Sequence, residues 1–231
     1  MKTEDATNSR KHLADSTYMS GPHSKTEENI MFAVGHVALG YLTGKATSKL
    51  LNAKINIPLL FFASIIPDVD FLLGLEHRGP THSLIVQTII FIPIFLVYRK
   101  QAAPVFASLV QHSLLGDLLA GAGGTQLFWP VTSQWYGTQI CVTNILSITL
   151  EWIAFLVFIA VLWITKDVKS LFQHQRYNLL LTIPVLTVIL PSFLQFPLAV
   201  PTALIIPHLI LLAILALSIA ANLRQILKIR R

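Results

Sequence analysis

The sequence predicts an all-α, multi-spanning membrane bundle of about seven segments, and three observations predict it. The 231 residues are 54% hydrophobic and only 12% charged, against roughly 25% charged in an average soluble domain. Apolar runs recur along the chain at lengths suited to a hydrocarbon layer of about 30 Å. Prolines fall inside several runs, a pattern tolerated where neighbouring helices or water satisfy the freed backbone groups.

Residues 1–29 are rich in Ser, Thr, Lys and Glu and lack the continuous apolar stretch of a secretory signal. They read as a disordered polar tail, with Met19 and Met31 as alternative starts. Residues 30–231 read as one membrane domain. Its apolar segments fall at about 30 to 50, 57 to 74, 83 to 98, 102 to 120, 146 to 165, 178 to 196 and 201 to 223. Pro67, Pro93, Pro191 and Pro207 lie within them, and the first two segments are marginal in length. No internal repeat or low-complexity tract stands out.

Basic clusters of matching parity follow the third segment (Arg99, Lys100), the fifth (Lys166, Lys169, Arg176) and the last (Arg224, Lys228, Arg230, Arg231). The positive-inside rule then places the C-terminus in the cytoplasm and the 121–145 loop outside. That loop has no Lys or Arg, and its Trp129, Trp135 and Tyr136 suit an interfacial belt. The expected location is therefore a cell or inner membrane, crossed several times. The formal charge of +6 is scattered between apolar segments, which argues against nucleic acid as a partner. A single cysteine, Cys141, excludes both an intramolecular disulfide and a thiolate zinc cage.

From residue 30 onward the acids are Asp68, Asp70, Glu76, Asp117, Glu151 and Asp167, and all but Asp167 lie in or beside apolar segments. Ionisable residues at membrane depth need a partner or a water-filled cavity, so each is a functional candidate. By the same parity, Asp68, Asp70, His77, His82, Asp117 and Glu151 fall at similar depth near the outer face. His36 joins them if the first helix runs outside to inside. Imidazoles and carboxylates without thiols suit zinc or manganese, in one or two ions. Asp68 and Asp70, two apart, converge only at a helix end or break such as Pro67 supplies. Gly79 and Pro80 break the chain between His77 and His82, Thr81 is placed as N-cap of the next helix, and Arg78 is placed to clamp an anion. Glu76 reads as facing water, and His174 and His208 as solvated or structural. The Gly121, Gly123 and Gly124 run lacks the Lys and flanking strand of a phosphate loop.

The ordered set of Met31, Gly35-His36, Gly40, Pro67-Asp68-Val69-Asp70, His77-Arg78-Gly79-Pro80-Thr81-His82-Ser83, His112 with Asp117, and Leu127-Phe128-Trp129-Pro130 resembles the YdjM/YbcI-type inner-membrane, metal-dependent hydrolases. The resemblance covers roughly residues 31–165, and the helices at 178–223 share only their apolar character. The family is in turn distantly similar to the zinc-dependent phospholipase C and nuclease group, which implies a helical phosphoesterase-like metal centre. One departure stands out. In that family the Asp usually follows the His by four residues, whereas His112 and Asp117 are five apart, a rotation of roughly 140° on a regular helix. Either a local bulge accompanies Gly116 or one of the two is not a ligand.

The reading is a membrane-embedded metal-dependent hydrolase acting on a phosphoester or other ester of a lipid-linked or amphipathic substrate. His36, Asp68, Asp70, His77, His82, His112 and Asp117 are the expected ligands, with Glu151 as a ligand or base and Arg78 as a charge stabiliser. An ion or metal transporter would also keep charge at depth, but with repeat symmetry between its halves. A non-enzymatic protein with a structural metal site is the third possibility.

Overall fold

The computed structural model describes residues 31–120, 124–137, 144–173, 175–194 and 199–229. The tail expected over 1–29, His174, and most of the glycine run at 121–124 lie outside the described residues. Helices dominate the rest, and they coincide with the seven apolar segments. α1 spans Ala33–Leu51 and α2 spans Ile57–Ile65, with Pro58 in the first turn of α2 and Asn56 Oδ1 accepting from Leu59 N–H as its cap. α3 spans Leu84–Tyr98, α4 Ala103–Gln111, α5 Asn144–Ile164 and α6 Ile205–Ile229. The sixth segment is composite, running from a 3-10 stretch at Arg176–Leu181 through a π-helical stretch at Val185–Ile189 to a last turn at Leu190–Phe193. Pro184 and Pro191 flank that π stretch, where missing N–H donors break the regular ladder.

Among the described residues, three helices are long and apolar enough to cross a membrane: Leu84–Gln101, Ile145–Ile164 and Thr202–Leu223. Three of the other four segments are shorter or more polar for identifiable reasons. α1 carries His36, Lys45 and Lys49, the helix through Ile57–Val69 is short and switches to 3-10 geometry at Pro67, and Tyr177–Phe193 is also short. The last two fit a hydrocarbon layer only partway.

α1, α2 and α5 meet in the core, which the sixth segment and α6 complete with Leu181, Val185, Ile189, Leu211 and Leu215. Tyr41, Phe61 and Phe158 meet edge-to-face at centroid distances of 6.3, 5.3 and 5.7 Å, a favoured geometry for aromatic pairs. Small residues permit close approach: a Cβ on Gly40 would lie 2.3 Å from Ser64 Cβ and 2.7 Å from Ser108 Oγ, the small-on-small contact typical of membrane helices. α1 and α5 run parallel and are tied at both ends. At one end Phe32 N–H and Gly35 N–H donate to Glu151 at 2.9 and 3.3 Å. At the other, Lys45 pairs with Asp167, which also accepts from Tyr41 Oη at 2.7 Å. Burial pushes the Asp167 carboxyl up, but the bonds from Lys45, Tyr41 and Thr165 outweigh it and hold the group below its usual range. His36 therefore sits at the Glu151 end of α1.

Candidate metal centre

Two irregular turns bring the ionisable residues together. The first follows α2, where a 3-10 turn at Ile66–Val69 leads into a short helix at Asp70–Leu73. The break at Pro67 lets Asp68 and Asp70 both point inward, and both are buried. The second is a π-helical turn at His112–Asp117 that continues α4. Its i→i+5 register puts residues five apart on one face, which a regular helix cannot do. His112 and Asp117 are both buried, with Nε2 and Oδ2 3.4 Å apart. The bulge reading of their spacing is thus the structure's answer.

Gly116 serves the same turn in a second way. A Cβ there would lie 2.3 Å from His36 Cε1 and 2.6 Å from Nδ1, so only glycine lets the His36 ring lie against the backbone. That ring stacks on His112 at a centroid distance of 3.8 Å. Gln111 Nε2 donates to the His36 carbonyl at 3.0 Å and fixes the α1–α4 register.

The hydrogen-bond network assigns the histidine tautomers. His112 Nδ1 lies 2.6 Å from the Ser64 carbonyl, which only accepts, so Nδ1 carries a proton and Nε2 is the atom turned to the carboxylates. Thr81 Oγ1 donates to Asp70 Oδ2 at 3.1 Å and stands 3.0 Å from His82 Nδ1. His82 Nδ1–H then donates to that hydroxyl oxygen, and Nε2 faces His112 and the carboxylates. The two Nε2 atoms converge to 3.1 Å. Asp68 Oδ1 lies 3.2 Å from that of His112 and 3.5 Å from that of His82. Asp117 Oδ2 lies 3.3 Å from His82 Nε2, with no hydrogen bond of its own among the described residues. Two imidazole Nε2 atoms and two carboxylate oxygens thus face one another, with neighbouring atoms 3.1 to 3.5 Å apart.

Among the described residues, three overlapping groups place their ligand atoms close enough that each could hold a metal ion: His36, His112 and Asp117; Asp68, His82 and His112; and Asp70, His77 and His82. Among the expected ligands, all seven are brought together. Asp70 is also a structural hub, since its carboxylate contacts His77 Nδ1 at 3.3 Å and accepts from Arg78 N–H at 3.3 Å. Arg78 is buried, in a left-handed backbone conformation with φ of 62°. Its Nε lies 3.3 Å from Asp117 Oδ1, and its carbonyl accepts from Gln126 N–H and Thr125 Oγ1.

Glu151 stands apart from the three groups. Its carboxylate is taken up by the start of α1, one residue from His36. Thr81 is not the cap of α3. A 3-10 turn at Pro80–His82 intervenes, Ser83 Oγ accepts from Val86 N–H as the cap, and the Thr81 hydroxyl turns to Asp70. The sequence reading passed over Gln111, which bonds the His36 carbonyl, Ser64, whose carbonyl bonds His112, and Gln87, which ties the Thr81 carbonyl to Ser113. Uncharged polar side chains inside apolar segments were their one available signal. Glu76 is exposed, while His208 is buried and bonded through Nδ1 to the Leu204 carbonyl.

No curated protein and no solved structure matches the chain. The family model described as YdjM inner membrane protein matches residues 31–199, which takes in every residue of the cluster and extends past residue 165 through the sixth segment. The chain is a membrane protein belonging to the YdjM inner membrane protein family.

Proposed function

We propose that this protein is a multi-pass, metal-dependent hydrolase of phosphoesters carried on lipid or amphipathic substrates. The observation that carries the reading is the convergence of His82 Nε2, His112 Nε2, Asp68 Oδ1 and Asp117 Oδ2, with neighbouring atoms 3.1 to 3.5 Å apart. Such a donor set in an apolar bundle favours a hard or borderline divalent cation, zinc or manganese. The residues fit the group: Ser64 and Thr81 each orient an imidazole through its other nitrogen, the usual arrangement behind metal-binding histidines.

His36, Asp68, His82, His112 and Asp117 would hold the metal, with Asp70 and His77 available for a second ion. When bound, it supplies Lewis acidity and a water made nucleophilic near neutral pH. Hydrolysis forms a P–O bond to the water oxygen and breaks the bond to the leaving oxygen. A carboxylate of the cluster takes the water's proton and returns it to the leaving group. Arg78, beside Asp117, adds fixed positive charge for the phosphoryl oxygens. Glu151 positions His36 through α1 and does not touch the reacting atoms.

Purified protein should contain zinc or manganese and release product from a panel of phosphate esters and lipid-linked phosphates, with release abolished by chelator. Glu151→Gln should retain metal and most of its turnover, because the amide oxygen still accepts from Phe32 N–H and only the longer bond from Gly35 N–H is lost. A base in that position would instead lose on the order of 100- to 10,000-fold. Folded protein free of metal, or hydrolysis insensitive to chelator, defeats the proposal.

The basic clusters orient the chain with the metal centre toward the outer face and the C-terminus in the cytoplasm. Reporter fusions or engineered cysteines should find Gln134 outside and Gln173 inside. The opposite labelling pattern reverses the orientation and puts the centre at the cytoplasmic face.

A further inference from the structure

A cleft of about 980 Å³ runs between α2 and α3. Leu59, Phe62 and Ile66 form one wall and Ile90, Ile94 and Tyr98 the other, at spacings that put each set on one helical face. The cleft stays open because α3 leans on α4 instead: Phe91 and Phe95 pack on Phe106 at 5.1 and 5.3 Å. Gln87 and Phe91 are the buried residues of α3. From Gln87 to Tyr98 the α3 wall measures about 16 Å at 1.5 Å per residue, close to half of a hydrocarbon core of about 30 Å.

The two ends differ in chemistry. One is lined by Pro67, Thr81 and Gln87 and abuts the metal centre, since Pro67 precedes Asp68 and Thr81 bonds Asp70. Gln87 Nε2 donates to the Thr81 carbonyl and Ser113 Oγ, while its buried Oε1 has no hydrogen-bond partner among the described residues. The far end carries Lys54, Tyr98 and Gln101. On its outer side α3 exposes Ile89, Ile92 and Leu96, so the cleft flanks a surface suited to lipid.

The geometry points to a seat for the hydrocarbon tail of a phosphate-bearing lipid, with the tail running one leaflet's depth down the α2–α3 cleft and the headgroup at the His/Asp cluster. The headgroup's placement rests on the hydrolase reading, whereas the tail seat rests on the cleft. Gln87 Oε1 would then accept from a hydroxyl on the lipid near its phosphate. Entry is sideways, from the bilayer past α3.

The test is photolabelling of full-length, detergent-purified protein with hexadecyl phosphate bearing a diazirine at the chain end, followed by peptide mapping. Adducts should concentrate on the walls of the cleft near Tyr98. Ile90→Trp and Ile94→Trp alter exposed or half-exposed positions, so the fold should survive while the cleft fills. Displacing two buried methylenes then weakens labelling about tenfold. His82→Ala should keep the cleft adducts, because labelling needs neither metal nor turnover. Cleft labelling without hydrolysis would leave the seat standing and remove the hydrolase reading. Adducts spread evenly over α3 and the outer face of α5, unchanged by either tryptophan, overturn the seat whatever the enzyme does.

Discussion

Replacing His112 by alanine is expected to remove the bound metal and lower stability by about 3 to 5 kcal/mol, the range for breaking a buried charge pair by deleting one partner. His112 is the hub of the cluster. Its Nε2 faces Asp68, Asp117 and His82, its Nδ1 holds the Ser64 carbonyl, and its ring carries His36. Alanine leaves Asp68 and Asp117 buried without their shared imidazole and strands the Ser64 carbonyl, so the remaining carboxylates repel one another. The informative control is His208→Ala, which removes another buried histidine, one bonded through Nδ1 to the Leu204 carbonyl just before α6. Elemental analysis and thermal unfolding of both variants decide the matter. Equal metal content in the two proteins would mean that His112 is a packing residue.

How far the sequence disclosed this site depends on the energetic cost of each residue in lipid. Asp68, Asp70, Asp117 and the histidines were legible because charge at membrane depth is expensive and must have a purpose. Pro67 and the five-residue His112 to Asp117 interval were legible as irregular backbone, since neither suits a regular helix. Ser64 was not: its contribution is a main-chain carbonyl, which leaves no mark on side-chain identity. Gln87 and Ser113 cost little to bury as neutral groups and look like ordinary breaks in an apolar run.

Glu151 illustrates a different limit. Its charge marked it as functional, but its partners, Phe32 and Gly35, lie 119 and 116 residues away, and the bonds are to backbone N–H groups that every sequence has. A carboxylate at a helix N-terminus meets both orphan donors and the positive end of the dipole, so burial alone did not distinguish base from cap. The Thr81 and Ser83 exchange has the same origin. Both residues cap well, and only the 3-10 turn over Pro80–His82 decides which hydroxyl reaches α3. The α2–α3 cleft arises from α3 leaning on Phe106, a tertiary choice that apolar periodicity in α3 does not encode.

Gly116→Ala is expected to lower turnover by about 100-fold or more, the scale associated with a displacement near 1 Å in a reacting site, while adding only one methyl group. The intended Cβ position lies 2.3 Å from His36 Cε1, far inside van der Waals contact, so the ring or the π turn must move. Ring movement separates His36 from His112, with which it is stacked, and breaks the group formed by His36, His112 and Asp117. Movement of the turn has a different signature. If alanine drives residues 112–117 toward regular helix, for which its propensity exceeds that of glycine by about 1 kcal/mol, Asp117 rotates away from His112 and Arg78 loses its partner. His36→Ala in the Gly116→Ala background separates the two outcomes. Partial recovery of metal affinity in the double variant identifies the ring clash as the cause, and no recovery identifies the collapse of the π turn. Full activity in Gly116→Ala alone would show that His36 does not need to lie against this turn and remove it from the centre.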